Sequence, residues 1–272
     1  HCSGEGLNPM VSSRPPPYVT LLPSVDCDLG RWLLQHYGVS YKEYPHAPIW
    51  HVITLFSMGL GKNDYPVIVR KPNLYPTIEK IFDYYEPQAS PDRSLLPGDF
   101  EMRKTLMAAQ HDFRFNMGTG TVQWAYFHFL PHKNLTWKSF TTGVPWYETL
   151  TVWGAYPVIK YLMFKGLNLS PKVAETGLAA VRAGFDKVDA LLADGRRFLY
   201  ADRLTIADLA FAASAAPMVL ANGYQGHLPT IDKVPKTMSS VMEELRARPA
   251  GKYVQQMYDE FRIPLPGFKT PN

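Results

Sequence analysis

Apolar positions follow two rhythms along this chain. From residue 99 onward they recur at helical spacing. Val173, Leu178, Val181, Phe185, Val188 and Leu191 form one stripe behind Ser170-Pro171, an N-cap residue followed by proline at the first helical position. With Gly195 closing the run, the pattern predicts a helix over 170–194. A second helix begins at Thr205. Thr205 and Asp208 have the spacing of a capping box, with Asp in place of the usual Glu or Gln, and Leu204 and Leu209 stand where a hydrophobic staple would. Met102, Leu106, Ala109, Phe113 and Met117 predict a long helix from 99, interrupted at Gly118–Gly120 and resumed from Val122 to Leu130. Further helices are expected over 235–247, broken at Pro249, and over 253–261. The aromatic run 144–169 predicts a buried or cleft-lining helix pair broken near Pro157.

The rhythm before residue 88 is different. Tyr18 to Leu22 is a short β-rich run ended by Pro23-Ser24. Trp32, Leu33 and Leu34 give one apolar helix face, Gly38 is a C′ residue, and Val39 to Tyr41 restarts an extended segment, so strand, helix and strand fit the size of a βαβ unit. Tyr65 to Val69 reads as a strand with proline near its start, and Thr77, Ile78, Ile81 and Tyr84 as an amphipathic helix. The expected organisation is an arm over 1–17, an α/β domain over 18–87, a proline-containing linker over 88–98, an all-helical domain over 99–262 and an extended tail over 263–272. Residues 1–9 fit no element, and Met10 is a candidate start.

Composition narrows the function classes. The net charge of +4 is mild and the basic residues are spread out, so no nucleic-acid-binding stripe is expected. Two cysteines, Cys2 and Cys27, cannot build a disulfide framework, and no signal peptide is evident; both point to a cytoplasmic protein. Glu148, Pro157, Lys160 and Lys165 interrupt the most apolar stretch, so membrane insertion is not expected. His128 and His132 are four apart, but Pro131 lies between them and no acidic or cysteine partner is near, so no metal site is read here.

The stretch from Phe198 to Phe211, with Ala201-Asp202 ahead of the capping box and Ala207-Asp208-Leu209 inside it, resembles the core helix of the C-terminal domain of soluble glutathione transferases. The order of elements over 18–87 is similar to the thioredoxin-like N-terminal domain of the same superfamily. The resemblance implies an α/β thioredoxin-like N-terminal domain plus an all-α C-terminal domain, glutathione as co-substrate, a small apolar electrophile and a homodimer. It places Ser24 where these enzymes keep a Ser or Cys between first strand and first helix. A helix start favours an anion, so Ser24 is the catalytic candidate for holding the glutathione thiolate; the same residue is equally an ordinary N-cap. Tyr18 is the other candidate hydroxyl, and Cys27 reads as a small buried hydrophobe. Tyr65-Pro66 resembles the cis-proline dipeptide that presents backbone to the cysteinyl part of glutathione. Thr77 matches the hydroxyl residue that binds the γ-glutamyl carboxylate. Pro76 departs from the acidic or amide residue usual before it, which predicts weaker glutathione binding. The resemblance also puts Phe113, Trp124, Phe127, Trp146 and Trp153 in the region that lines the co-substrate pocket. Conjugation, ether cleavage, dehalogenation and isomerisation all stay open. So does a non-catalytic ligand-binding or scaffold protein that keeps the fold.

Overall fold

The computed structural model describes residues 14–263, so the expectations for an arm over 1–13 and a tail over 264–272 lie outside the described residues. Four strands, β1 (Pro17–Leu21), β2 (Lys42–His46), β3 (Val67–Arg70) and β4 (Asn73–Pro76), form one sheet in the order β2-β1-β3-β4. β1 pairs parallel with β2 and antiparallel with β3, and β3 and β4 make a hairpin. The parallel pair requires a crossover, supplied by α1 (Val25–His36). α1 ends as its sequence foretells: Gly38 has φ +70°, and the N–H of Val39 donates back to Leu34 O at 2.8 Å. β2 begins only at Lys42, after the Val39 to Tyr41 run rather than within it, and carries Pro45, which an edge strand tolerates. α2 (Trp50–Ser57) was not legible in the apolar pattern, and α3 (Thr77–Tyr85) opens at the expected threonine.

The remainder is helical: α4 (Phe100–Asp112), a π-helical segment (Phe113–Gly118), α5 (Thr119–Phe129), α6 (Lys133–Thr141), α7 (Trp146–Gly166), α8 (Pro171–Leu192), α9 (Ile206–Val219), α10 (Lys236–Ala247) and α11 (Pro249–Phe261). No strand occurs after β4 among the described residues. α10 ends just before Pro249 as expected, and Pro249 takes the first position of α11, four residues ahead of the expected start at 253. The long helix from 99 deviates at Phe113, five residues before the glycines, because a π-helical turn inserts there.

α9 is buried along its whole length and sits in the main core, which also takes Trp32 and Leu33 of α1 and Phe185 of α8. The Asp208 carboxylate accepts from the N–H of Thr205 at 2.7 Å, its hydroxyl at 2.6 Å, the N–H of Leu199 at 2.8 Å and the Tyr253 hydroxyl at 2.6 Å. A second buried polar junction is ionic. The fully buried Asp28 of α1 accepts from the Tyr258 hydroxyl at 2.7 Å and from Arg262 at 2.8 Å, while buried Arg31 reaches Glu43 of β2 at 2.7 Å. These pairs fasten the sheet region to the last helix. α5 and α8 cross at glycine on glycine: a Cβ on Gly120 would lie 2.4 Å from the Gly177 carbonyl oxygen. α6 and α7 share a smaller core with Ala47, and buried Glu148 of α7 accepts from the Ala47 N–H at 2.8 Å with His46 Nδ1 2.7 Å away.

Candidate functional site

The βαβ crossover sets the start of α1 at the end of β1, the strand that pairs with the start of β3. Ser24 has extended backbone, φ −67° and ψ 133°, and its Oγ accepts from the Cys27 N–H at 3.3 Å. It is half-buried, and a hydroxyl that accepts still has its proton to donate. Cys27 is fully buried; burial pushes its thiol up to about 12, so it stays a neutral thiol. Tyr18 is buried as well and donates its hydroxyl to Cys27 O at 2.9 Å, which leaves it no part in ligand chemistry.

The start of α3 faces the same region. The Tyr65–Pro66 peptide is cis, and the N–H of Thr77 donates to Pro66 O at 2.8 Å. Thr77 has φ +65°, a left-handed backbone that a β-branched residue adopts at a cost of roughly 1–3 kcal/mol. Pro76 is the N-cap of α3 and gives it no side-chain bond. Between the two helix starts lies Arg114, delivered by the π-helical segment. Its guanidinium is almost fully buried and bonds both oxygens of Asp26, at 3.0 and 3.1 Å, and Glu79 at 2.6 Å. Burial pushes the Glu79 carboxyl up, but the hydrogen bond and charge of Arg114 outweigh it and hold the group below its ordinary value. The carboxylates of Asp26 and Glu79 keep partial exposure, 31 % and 41 % of their side chains, against 3 % for Arg114. One cation against two partly open carboxylates leaves the cluster net negative, beside helix starts whose N–H groups favour an anion. Such a site suits a group that carries an ammonium and a carboxylate together.

An apolar cleft of about 50 Å³ opens next to Ser24, with its flanking residues Pro23 and Val25 on one wall and Tyr126, Phe129, Thr136 and Phe140 on the other. The Tyr126 phenol is held above its ordinary pKa, first by burial and then by the neighbouring Tyr65 and Cys27 groups, so it remains a protonated hydroxyl near the α1 start.

The segment 171–251 matches the family model described as glutathione S-transferase, C-terminal domain. Residues 171–251 thus carry a glutathione S-transferase C-terminal domain, on a chain that has the glutathione transferase fold. Solved structures agree on the fold. It is similar to glutathione transferase GSTFuA3 from Phanerochaete chrysosporium, at 14 % identity and a TM-score of 0.58, over 92 % of this chain and 98 % of that one. It is similar to the beta-etherase LigF from Sphingobium sp. strain SYK-6, at 15 % identity and a TM-score of 0.52, over 89 % and 99 %. A glutathione transferase from Pseudomonas putida, solved with glutathione disulfide, matches at 17 % identity and a TM-score of 0.50, over 92 % and 94 %. No curated protein matches in sequence.

In this transferase fold the structure brings Ser24, Tyr65, Pro66 and Thr77 to one end of the sheet, with Pro76 beside them. It does not bring together the five aromatics expected to line the co-substrate pocket. Phe113 is fully buried, edge-on to Phe211 at 5.1 Å, and Trp124 is buried in the main core. Phe127 is half-buried against Phe164. Trp146 and Trp153 stand in solvent, 76 % and 66 % exposed. The reason is rotational. The cleft takes Thr121, Val122, Ala125, Tyr126 and Phe129 from α5, one face of a helix that turns about 100° per residue, and Trp124 and Phe127 fall on the opposite face. The expected break near Pro157 is present, since α7 is two helical halves joined at a kink at Ala155, but Trp146, Tyr147, Trp153 and Tyr161 point outward while Tyr156 is buried. Sequence reasoning missed Arg114, Asp26 and Tyr126. The run Phe113-Arg114-Phe115 in an otherwise apolar helical stripe was the available signal for the first.

Proposed function

We propose that the chain binds glutathione across the starts of α1 and α3 and directs its sulfur at an apolar electrophile in the cleft beside Tyr126. The observation that carries this reading is the Asp26–Arg114–Glu79 cluster set between two helix starts. The γ-glutamyl end of glutathione is an α-amino acid, an ammonium and a carboxylate on one carbon. The partly open carboxylates of Asp26 and Glu79 suit the ammonium, and the Thr77 end of α3 suits the carboxylate. In this arrangement Glu79 and Asp26 do the work of the acidic or amide residue that Pro76 displaces. The cis Tyr65–Pro66 segment lies where the backbone would hold the cysteinyl part.

Bound glutathione supplies the nucleophilic sulfur. Ser24, at the positive end of α1 and with a hydroxyl proton free to donate, stabilises that sulfur as thiolate. Pro23, Val25 and the α5–α6 wall keep the attack zone apolar, which strengthens the thiolate hydrogen bond and holds the electrophile near it. Conjugation, ether cleavage, dehalogenation and isomerisation share this first step. The solved relative from Pseudomonas putida, which holds glutathione disulfide, supports the choice of thiol.

A non-catalytic ligand-binding protein is the second reading. Pro76 favours it, as does the fact that Arg114 already occupies both carboxylates. Calorimetric titration decides between them, with glutathione set against cysteinylglycine, which lacks the γ-glutamyl end. Binding of glutathione but not of the dipeptide is expected. Arg114→Ala is expected to weaken it more than Arg114→Lys, and Pro76→Gln to change it by about fivefold or less, the scale of one net hydrogen bond. Absence of binding at millimolar glutathione would overturn the enzyme reading and leave the second.

A further inference from the structure

α7 carries four of its six aromatic residues, Trp146, Tyr147, Trp153 and Tyr161, on the wrong side for a core. Glu148, Val152, Tyr156, Ile159 and Met163 face inward. Trp146, Leu150, Trp153 and Tyr161, spaced four, three and eight residues apart, form an outward stripe, and Tyr161 is 62 % exposed. Tyr147, Val158 and Leu162 flank the stripe and are exposed too. α2 touches this helix through Trp50, whose ring meets Tyr147 edge-on at 5.3 Å, and carries two more exposed apolar side chains, Ile53 and Phe56. A single exposed tryptophan needs no explanation, but a contiguous aromatic face does.

The charges around the face choose its occupant. Residues 131–170 contain four lysines, Lys133, Lys138, Lys160 and Lys165, and no arginine. Their one carboxylate, Glu148, is fully buried and bonded to Ala47 and His46. Every charge this segment offers to solvent is therefore positive. A second copy packed two-fold on the same face would set lysine against lysine with no acid of the segment to pair them. An anionic lipid surface is complementary: lysines meet headgroup charge, while Trp and Tyr, apolar rings with polar tips, suit the headgroup boundary. No helix among the described residues is long and apolar enough to cross a membrane, and α7 is kinked at Ala155 ahead of Pro157, so the geometry is that of a helix lying in the interface.

We infer that the outer face of α7, with α2 beside it, is a docking surface for anionic membranes. The reading is independent of glutathione chemistry. It is tested by co-sedimentation of the full chain with vesicles of phosphatidylglycerol and phosphatidylcholine and with vesicles of phosphatidylcholine alone, with tryptophan emission followed in parallel. The chain is expected to bind the anionic vesicles, with a blue shift, and to be released by salt. The double variant Trp146→Glu, Trp153→Glu is expected to bind more than about tenfold more weakly. Lys138→Glu and Lys165→Glu are each expected to weaken binding about fivefold. All four positions are exposed, and an unchanged thermal midpoint verifies that the variants are folded. No binding to anionic vesicles overturns the inference, as does equal binding by the double tryptophan variant. So does a concentration-dependent doubling of mass that the double variant abolishes while vesicles bind neither protein, which would assign the face to a second copy.

Discussion

Two helix starts in this molecule have the same grammar and opposite characters. α9 opens at Thr205 with Asp208 three residues on, and α1 opens at Ser24 with Asp26 two residues on. At α9 every polar atom is inside and spoken for: Asp208 takes four hydrogen bonds and Thr205 is fully buried. At α1 the hydroxyl is half-buried and its one bond is long, at 3.3 Å, while Asp26 turns away from its own helix to meet Arg114. A helix start whose groups are all consumed can only hold structure. One with a donor to spare, at the mouth of an apolar cleft, can hold a ligand anion. The contrast teaches that the cap residue alone does not declare its role; the unused hydrogen-bonding capacity around it does.

The largest effect that would test the contrast is on stability. Asp208→Ala strips the partners from several buried donors and is expected to cost about 3 kcal/mol, whereas Asp26→Ala is expected to cost less because the buried Arg114 guanidinium keeps Glu79 and Gln110 as partners. Urea midpoints measure both, and equal losses would erase the distinction. Next comes Ser24→Ala. If the enzyme reading holds, turnover with glutathione falls about ten- to hundredfold, since a hydrogen bond to a charged group contributes roughly 1.5–3 kcal/mol, while stability barely moves. A turnover number equal to the parent's would reduce Ser24 to a cap. Thr205→Ala shows the reverse pattern: a loss of about 1 kcal/mol in stability with catalytic constants untouched.

The smallest and most diagnostic effect is in pH dependence, because the two sites titrate with opposite sign. Burial, outweighing its hydrogen bonds, raises the Asp208 carboxyl, so that group adds most to stability below its ordinary pKa, and the contribution declines as pH rises through the folded value. Glu79, at the start of α3, is held below its ordinary value by Arg114, so its contribution is present above that value and is lost as pH falls through the folded pKa. The stability difference between parent and Glu79→Gln is therefore expected to grow from about pH 3 to about pH 6, and that between parent and Asp208→Asn to shrink. Slopes of one sign in both series would show that burial, rather than partnership, governs both carboxylates.

Legibility in the sequence follows the range of the interaction. The α9 cap, the Ser170-Pro171 start of α8 and the Gly38 end of α1 are set by neighbours a few residues apart, and each stands where the pattern puts it. α2 and α6 escaped because eight or nine residues give too few turns for a period to emerge. The Asp28–Arg262 pair joins residues 234 apart, which no local pattern can announce. Arg114 was hidden by the π-helical turn, which rotates it away from the direction that an unbroken helix would assign. The same kind of error misplaced the cleft: aromatic content marks a region, but only the helix rotation decides that Tyr126 faces the cleft with Pro23 and Val25 while Trp124 faces the core.

The glycine-on-glycine crossing of α5 and α8 has a consequence for how this protein could change. α5 supplies one wall of the cleft, and at Gly120 it rests against α8 with no clearance, since even a methyl group there would meet the Gly177 carbonyl. Residues Thr121, Val122 and Ala125 of the cleft follow at once on the same helix. That wall is a fixed jaw. The opposing residues Leu135, Thr136, Ser139 and Phe140 belong to α6, a short helix that sends Phe140 into the smaller core with α7 and Leu135 into the main one, and no backbone contact as close as that of Gly120 on Gly177 pins it among the described glycines. Lineages that take bulkier or smaller substrates are thus free to diverge along 135–140 and bound to keep 120 and 177 small, and a library built to redirect specificity has the best yield when its diversity is spent on α6.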